Sequence, residues 1–147
     1  MSLKEKLMED MKSSMKNKDT LRKNTITMVR ASIKQREVDE RIELTDEDII
    51  DIIAKQVKEK RDVIQDFEKG GREDLVEQTK KEMEILLEYL PKQLTEEEVE
   101  EIVKETIKEV DAKSIKDIGL IMKSVMPKIK GKADGSMVNS IARKYLK

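Results

Sequence analysis

An all-α fold is predicted by three properties of this 147-residue sequence. Apolar side chains recur every three or four residues in one segment after another. Most segments open on Ser, Thr or Asp, and the openings at Thr45 and Thr95 read as capping boxes, with an acidic residue three places on. No stretch alternates apolar and polar residues as a half-buried strand would. Charged residues make up 43% of the chain and aromatics only 2%, but the 37% that is hydrophobic keeps a helical spacing that a disordered chain has no reason to keep. The length suits one domain, or two small ones.

The first helix spans residues 2–17, with Leu3, Leu7, Met11 and Met15 on one stripe. Asn17-Lys18-Asp19 breaks it, and Asp19 caps a second helix that turns Leu21, Thr25, Met28, Val29 and Ile33 inward and fades near Arg41. Thr45-Asp46-Glu47-Asp48 resembles a capping box with Asp in the place of Glu. The helix it opens buries Ile49, Ile53, Val57, Ile64 and Phe67 and is roughly 35–40 Å long. Gly70-Gly71 ends it, where a positive φ costs little, and reverses the chain into an antiparallel partner. That partner places Leu75, Gln78 or Thr79, Met83, Leu86, Leu87 and Leu90 inward and is stopped by Pro91.

Thr95-Glu96-Glu97-Glu98 is a second capping box, opening a helix that buries Val99, Ile102, Val103, Thr106, Ile107 and Val110. Ser114 caps a shorter helix with Ile118, Ile121, Met122 and Val125 inward. Asp134 caps the last, with Val138, Ile141 and either Tyr145 or Leu146 inward. The boundary falls near Pro91-Lys92-Gln93-Leu94. A four-helix N-terminal domain with a long helical hairpin, residues 1–91, precedes a small three-helix domain, residues 95–147. Met11, Met15, Met28, Met83 and Met122 fall on apolar stripes and read as core filling.

Composition narrows the chemistry. Without cysteine or histidine there is no disulfide, no thiol nucleophile, no common proton shuttle and no usual zinc ligand, so neither a metal nor a cofactor is expected. No phosphate-loop or nucleophile-elbow motif occurs. Glu96, Glu97 and Glu98 are explained by the helix start they occupy, so paired-carboxylate catalysis has no foothold there. No segment approaches the roughly 18 apolar residues of a membrane span, and a membrane partner is not expected. Met1-Ser2-Leu3-Lys4-Glu5-Lys6 lacks a signal-peptide core, which makes a cytoplasmic protein the expectation.

The formal net charge of −1 conceals strong segregation. Residues 1–37 hold ten Lys/Arg against five Asp/Glu, and residues 112–147 hold nine against two, around an acidic middle. The second basic region includes Met126-Pro127-Lys128-Ile129-Lys130-Gly131-Lys132-Ala133-Asp134-Gly135, read as a lysine-studded turn between two helices. A solvated face is the ordinary account of a charge run. Here, however, the charge is one-signed in a chain that otherwise mixes signs, and it gathers on a turn. An anionic partner is expected, held by Lys123, Lys128, Lys130, Lys132, Arg143 and Lys144, with Gly131 and Gly135 letting the backbone approach closely. Phe67, Tyr89 and Tyr145 read as packing residues, which leaves no stacking platform for bases. Recognition of a nucleic acid would therefore go through its phosphates and weaken steeply with salt. The basic first two helices (Lys12, Lys16, Lys18, Arg22, Lys23, Arg30, Lys34) could extend that surface.

Several separate motifs also carry a family resemblance. They are Phe67-Glu68-Lys69-Gly70-Gly71-Arg72-Glu73-Asp74-Leu75, Tyr89-Leu90-Pro91-Lys92-Gln93-Leu94-Thr95-Glu96-Glu97-Glu98, Asp117-Ile118-Gly119 and the 126–135 turn. Together they resemble the YqeY-like proteins over essentially the whole chain. From about Thr95 the chain also resembles the tail domain of the GatB component of the aspartyl/glutamyl-tRNA amidotransferase, through Gly131-Lys132-Ala133 and Val138-Asn139.

The resemblance implies a two-part helical protein linked to tRNA-dependent amidation. In that setting the tail helps hold tRNA, while the amide chemistry belongs to other domains or subunits. A similar domain is appended to some glutaminyl-tRNA synthetases. The family label is carbon–nitrogen ligase activity with glutamine as amido-N-donor, and this chain resembles only its tRNA-holding part. The expectation is a non-catalytic tRNA-binding accessory module in translation. The rival is an adaptor whose N-terminal helical hairpin docks on an aminoacyl-tRNA synthetase or amidotransferase, the lysines merely meeting an acidic surface.

Overall fold

A computed structural model describes residues 1–146. It is all-α: among the described residues there are seven α-helices and one 3-10 turn, and no strand. The helices are α1 (Leu3–Lys16), α2 (Thr20–Glu40), α3 (Asp46–Lys69), α4 (Glu73–Leu87), α5 (Glu96–Glu109), α6 (Ile118–Ile129) and α7 (Gly135–Tyr145), with the 3-10 turn Ile115–Asp117 leading into α6. The chain divides into two compact units, Met1–Leu90 and Pro91–Lys147.

Helix starts follow local side-chain chemistry. Ser2 and Asp19 accept backbone N–H bonds from Glu5 and Arg22. Thr45 with Asp48, and Thr95 with Glu98, form complete capping boxes. The ends depend on the left-handed region. Gly71 takes φ 70° after α3, and non-glycine residues do the same at Lys18, Arg41 and Asp111, each such non-glycine position costing about 1–3 kcal/mol.

In the first unit α3 packs along α4 and α1 along α2, and α2 rests on both α3 and α4. The core between them includes Leu7, Ile26, Val29, Ile53 and Leu86, all at most 1% exposed. Between α3 and α4 the Lys60 Nζ lies 2.6 Å from a Glu82 carboxylate oxygen, an ion pair whose side chains are largely covered. In the second unit α5, α6 and α7 pack mutually around Val99, Val103, Ile121, Val125, Ile129 and Val138, each 0% exposed.

Several inward assignments change. Met15 and Met28 are 55% and 58% exposed, while Ser14 and Ile26 take the buried places. Ser14 lies seven residues after Leu7 and so shares its stripe, whereas Met15 is turned off it. Ser14 tolerates burial because its hydroxyl donates to the Asp10 carbonyl, 2.7 Å away. Thr25, Thr79 and Thr106 do the same to the carbonyls four residues back, so the buried hydroxyls in these helices are satisfied within their own helix. Helix α4 stops at Leu87, four residues before Pro91, and is followed by a turn tightened by i→i−3 bonds from Tyr89 and Leu90. At the C-terminus Leu146 is buried and Tyr145 is 43% exposed.

The largest change concerns the 126–135 stretch. Helix α6 continues through Pro127 to Ile129, so only residues 130–134 form the turn. A helical proline forfeits the bond to the carbonyl four residues back. Here that loss falls in the last turns, where burial of Val125 and Ile129 holds the helix on course.

Electrostatics adds a pH term to the first unit. The Glu37 carboxylate accepts from Lys4 Nζ at 2.6 Å and from the Leu44 backbone N–H at 2.9 Å. Those two bonds, the lysine's first, hold its pKa below the ordinary value. A depressed carboxylate contributes stability that is complete above its unfolded pKa, about 4.3, and is lost as pH falls through the folded pKa. Thermal melts at about pH 6 and about pH 3 should therefore separate less in Glu37→Gln than in the wild type. Equal separations would remove Glu37 from the acid response.

Candidate functional site

The basic residues expected at the site fall in three places on the second unit: the end of α6 with its turn, the end of α7, and Lys123 by itself. At the end of α6, Lys128 lies in the last helical turn, Lys130 is the C-cap, and Lys132 follows Gly131. Lys128 and Lys130 are exposed, and Lys132 is half-buried. Arg143 and Lys144 lie in the last turn of α7, roughly 13 Å further along that helix from Gly135. Lys123 is exposed in mid-α6. Five residues at about 100° each turn it well away from Lys128.

The turn is fastened from outside itself. Gly131 takes φ 72°, which suits its lack of a side chain. Its carbonyl accepts from Gln93 Nε2 at 2.7 Å, and the Lys132 carbonyl accepts from the Leu94 N–H at 2.8 Å. The Lys132 N–H donates to the Ile129 carbonyl at 2.7 Å. Carbonyl oxygens that would repel an anion are thus already engaged. Asp134 closes the loop by accepting from the Ser136 N–H at 3.0 Å. At Gly135 a Cβ would stand at ordinary contact distance, 3.5 Å from Met126 Sδ and 3.8 Å from Met122 Cε, so methionine side chains line that side of its backbone.

The lysines also have acidic neighbours on α5. Lys128 Nζ is 3.4 Å from a Glu109 carboxylate oxygen, with both side chains about half exposed. An exposed pair of this kind contributes about 1 kcal/mol or less, so Lys128 can exchange Glu109 for a phosphate at small cost. Arg143 donates to Asn139 Oδ1 at 2.6 Å. Tyr145 donates its hydroxyl to Glu100, beneath Lys104, whose Nζ is 5.3 Å from the ring centroid. That hydroxyl, with smaller help from Lys104 and Lys144, holds the Glu100 pKa below the usual carboxylate range. Tyr145 is therefore half-exposed and tied to α5, unlike the packing residue read from sequence.

The sequence reading missed a polar cleft in the first unit. It has a volume of ≈ 470 Å³ and is lined by α1, the start of α2 and the end of α4. Arg22 meets Glu88 through both guanidinium NH groups, at 2.6 and 3.3 Å. Tyr89 donates its hydroxyl to Asp10, and Lys6 Nζ lies 5.3 Å from the Tyr89 ring centroid. Burial, followed by the Asp10 bond, pushes the Tyr89 hydroxyl far above its usual pKa, so it acts as a donor and not as a base. These pairs span 66 and 79 residues, which no local pattern reveals. Their geometry fastens the end of α4 to α1 and α2.

Among the described residues no three Asp or Glu side chains stand close enough together to hold a metal ion. No described helix is long and apolar enough to cross a membrane.

These features define a wholly helical protein of two small units, the second carrying a basic, externally fastened turn. The chain belongs to the family described as Yqey-like protein, which it matches over residues 4–146. Curated relatives named "Altered inheritance of mitochondria protein 41, mitochondrial" are similar to it. The one from Kluyveromyces lactis is 42% identical over 84 residues, 56% of this chain and 45% of the relative. That from Lachancea thermotolerans is 39% identical over 85 residues, 57% of this chain and 46% of the relative. That from Pyrenophora tritici-repentis is 31% identical over 130 residues, 87% of this chain and 71% of the relative. For the first two relatives the match covers about half of each relative's length.

The cytoplasmic expectation is corrected by these names, since the relatives are mitochondrial proteins. It rested on the composition of the first residues and on the lack of cysteine. Neither one reads a compartment.

Proposed function

We propose that this chain is a non-catalytic tRNA-binding accessory module, working beside the tRNA-dependent amidotransferases whose GatB tail domain its second unit resembles. The observation that supports this most is the turn after α6. Lys128, Lys130 and Lys132 follow one another there, from the last turn of α6 into a loop whose Gly131 and Lys132 carbonyls are already bonded to Gln93 and Leu94. A loop fastened in this way loses little conformational freedom when an anion binds. Phosphates are the natural target of lysines, and the paucity of aromatics argues against readout of splayed bases. Lys123, Arg143 and Lys144 stand apart from the turn and add positive potential over the same unit. The amide-forming chemistry is assigned to other polypeptides. An adaptor that docks on a synthetase or amidotransferase is the second reading, favoured by the exposed Leu120 and Met126, 53% and 44% accessible, in the same unit.

A fluorescence-anisotropy titration of labelled tRNA at a series of salt concentrations tests the proposal. Log affinity should fall linearly with log salt, the three turn lysines alone contributing about −2 to −3 to the slope if each displaces a counterion. A flat salt response, or no binding at low salt, would sink it. A stable complex with a synthetase in nuclease-treated samples would favour the adaptor instead.

A further inference from the structure

Helix α6 carries a second arrangement of charge on the side away from its core. Ile121, Val125 and Ile129 form its buried face. Opposite them lie Lys116, Leu120, Lys123, Pro127 and Lys130, at successive spacings of four, three, four and three residues, all exposed. That spacing keeps all five on one side of a helix. Lys116 stands in the 3-10 entry turn and Lys130 at the C-cap, so the three lysines are about 10 Å apart in sequence order. Neither Lys116 nor Lys123 has an ion pair among the described residues. The nearest acid, Asp117, is turned into the backbone, where its carboxylate accepts from the Lys113 and Ser114 N–H groups. Leu120 is 53% exposed between two lysines, so the same side of the helix also presents apolar surface.

We infer that this ridge lies along a duplex segment of the bound RNA, an inference that rests on the tRNA reading above. Lysines about 10 Å apart along a helix reach separate phosphates when their side chains extend side by side. They suit separate phosphates bordering the shallow minor groove of an A-form helix, with Leu120 and Pro127 facing the ribose edges between them. The ridge bears no aromatic residue, which argues against a single strand stacked along it. Lys116 thereby joins the RNA-contacting residues, and α6 becomes the reading element with the fastened turn at its end.

The full chain with Lys116→Ala, Lys123→Ala and both together separates this from the broader reading. Each single replacement should lessen the log–log salt slope for tRNA by about 0.7–0.9, and the double by about twice that. A short RNA duplex should compete for labelled tRNA, and a single strand of equal length should not. The ridge is refuted, with the tRNA reading intact, if the wild type binds tRNA but both singles keep its slope or the single strand competes equally. If the wild type binds no tRNA, both readings fall together. Matched circular-dichroism melts of the variants identify any slope change that comes from unfolding.

Discussion

Replacing Lys128, Lys130 and Lys132 together by glutamate should weaken tRNA binding on the order of 100-fold or more at moderate salt and take about two to three units off the salt slope. Three cations become three anions on one short segment, so the loss combines missing phosphate contacts with repulsion. The fold should survive. Lys128 and Lys130 are exposed, the Lys128–Glu109 pair is a surface one, and the loop is held by backbone groups that the replacements leave in place. The measurement is the anisotropy titration, with a thermal melt of the variant beside it. Wild-type affinity in the triple variant would locate RNA contact elsewhere, whatever the single lysines on the ridge do.

Leu86→Ala should destabilise the first unit by about 2–5 kcal/mol. Leu86 is 1% exposed among residues of the core that α1, α2, α3 and α4 share, and the elements around it cannot all collapse into the space it leaves. A unit of this size has roughly 5–13 kcal/mol in total, so one truncation removes a large share of it. In urea the midpoint should fall with the slope unchanged, which marks lost stability and not an altered unfolded state. Leu120→Ala, at a residue 53% exposed, should stay within about 0.5 kcal/mol of the wild type. Similar midpoints for the two variants would mean that burial at Leu86 does not carry the stability assigned to it.

Helix starts were readable because a cap is a local event. Thr45 and Thr95 announce α3 and α5 through acids three residues on, and the structure forms both boxes in full. Faces were less readable wherever size competed with hydrogen bonding. Methionine at 15 and 28 looked apolar enough to bury, yet the buried stripes accept small hydroxyl residues that bond back to their own helix, as Ser14 and Thr25 do. The turn was drawn too long in the same way: Met126, Pro127, Lys128 and Ile129 belong to α6, because a helix can absorb one missing donor near its end when Val125 and Ile129 are buried on its inner face.

The candidate site divides along the same line. Its charge was visible as a one-signed run, since lysines are exposed wherever the chain goes. What fixes the loop was not visible, because the Gln93–Gly131 bond joins residues 38 apart. The Arg22–Glu88 and Tyr89–Asp10 pairs were hidden for the same reason, at still greater separation. The ridge on α6 was overlooked because its lysines are seven residues apart and dispersed among apolar neighbours. Only the helix brings them to one side.

The donors at Gln93 and Leu94 have a consequence for any shortened version of this protein. A fragment begun at Thr95, where the helical pattern restarts, would retain the lysines of α6 and of the turn and the buried residues of the α5–α6–α7 core, though not Leu94, which packs against it. It would lack both groups that restrain Gly131 and Lys132, leaving two outward carbonyls to compete with phosphate for the nearby ammonium groups. Such a fragment would carry the right charges on an unset loop, and its weak binding could be mistaken for a need for the first unit.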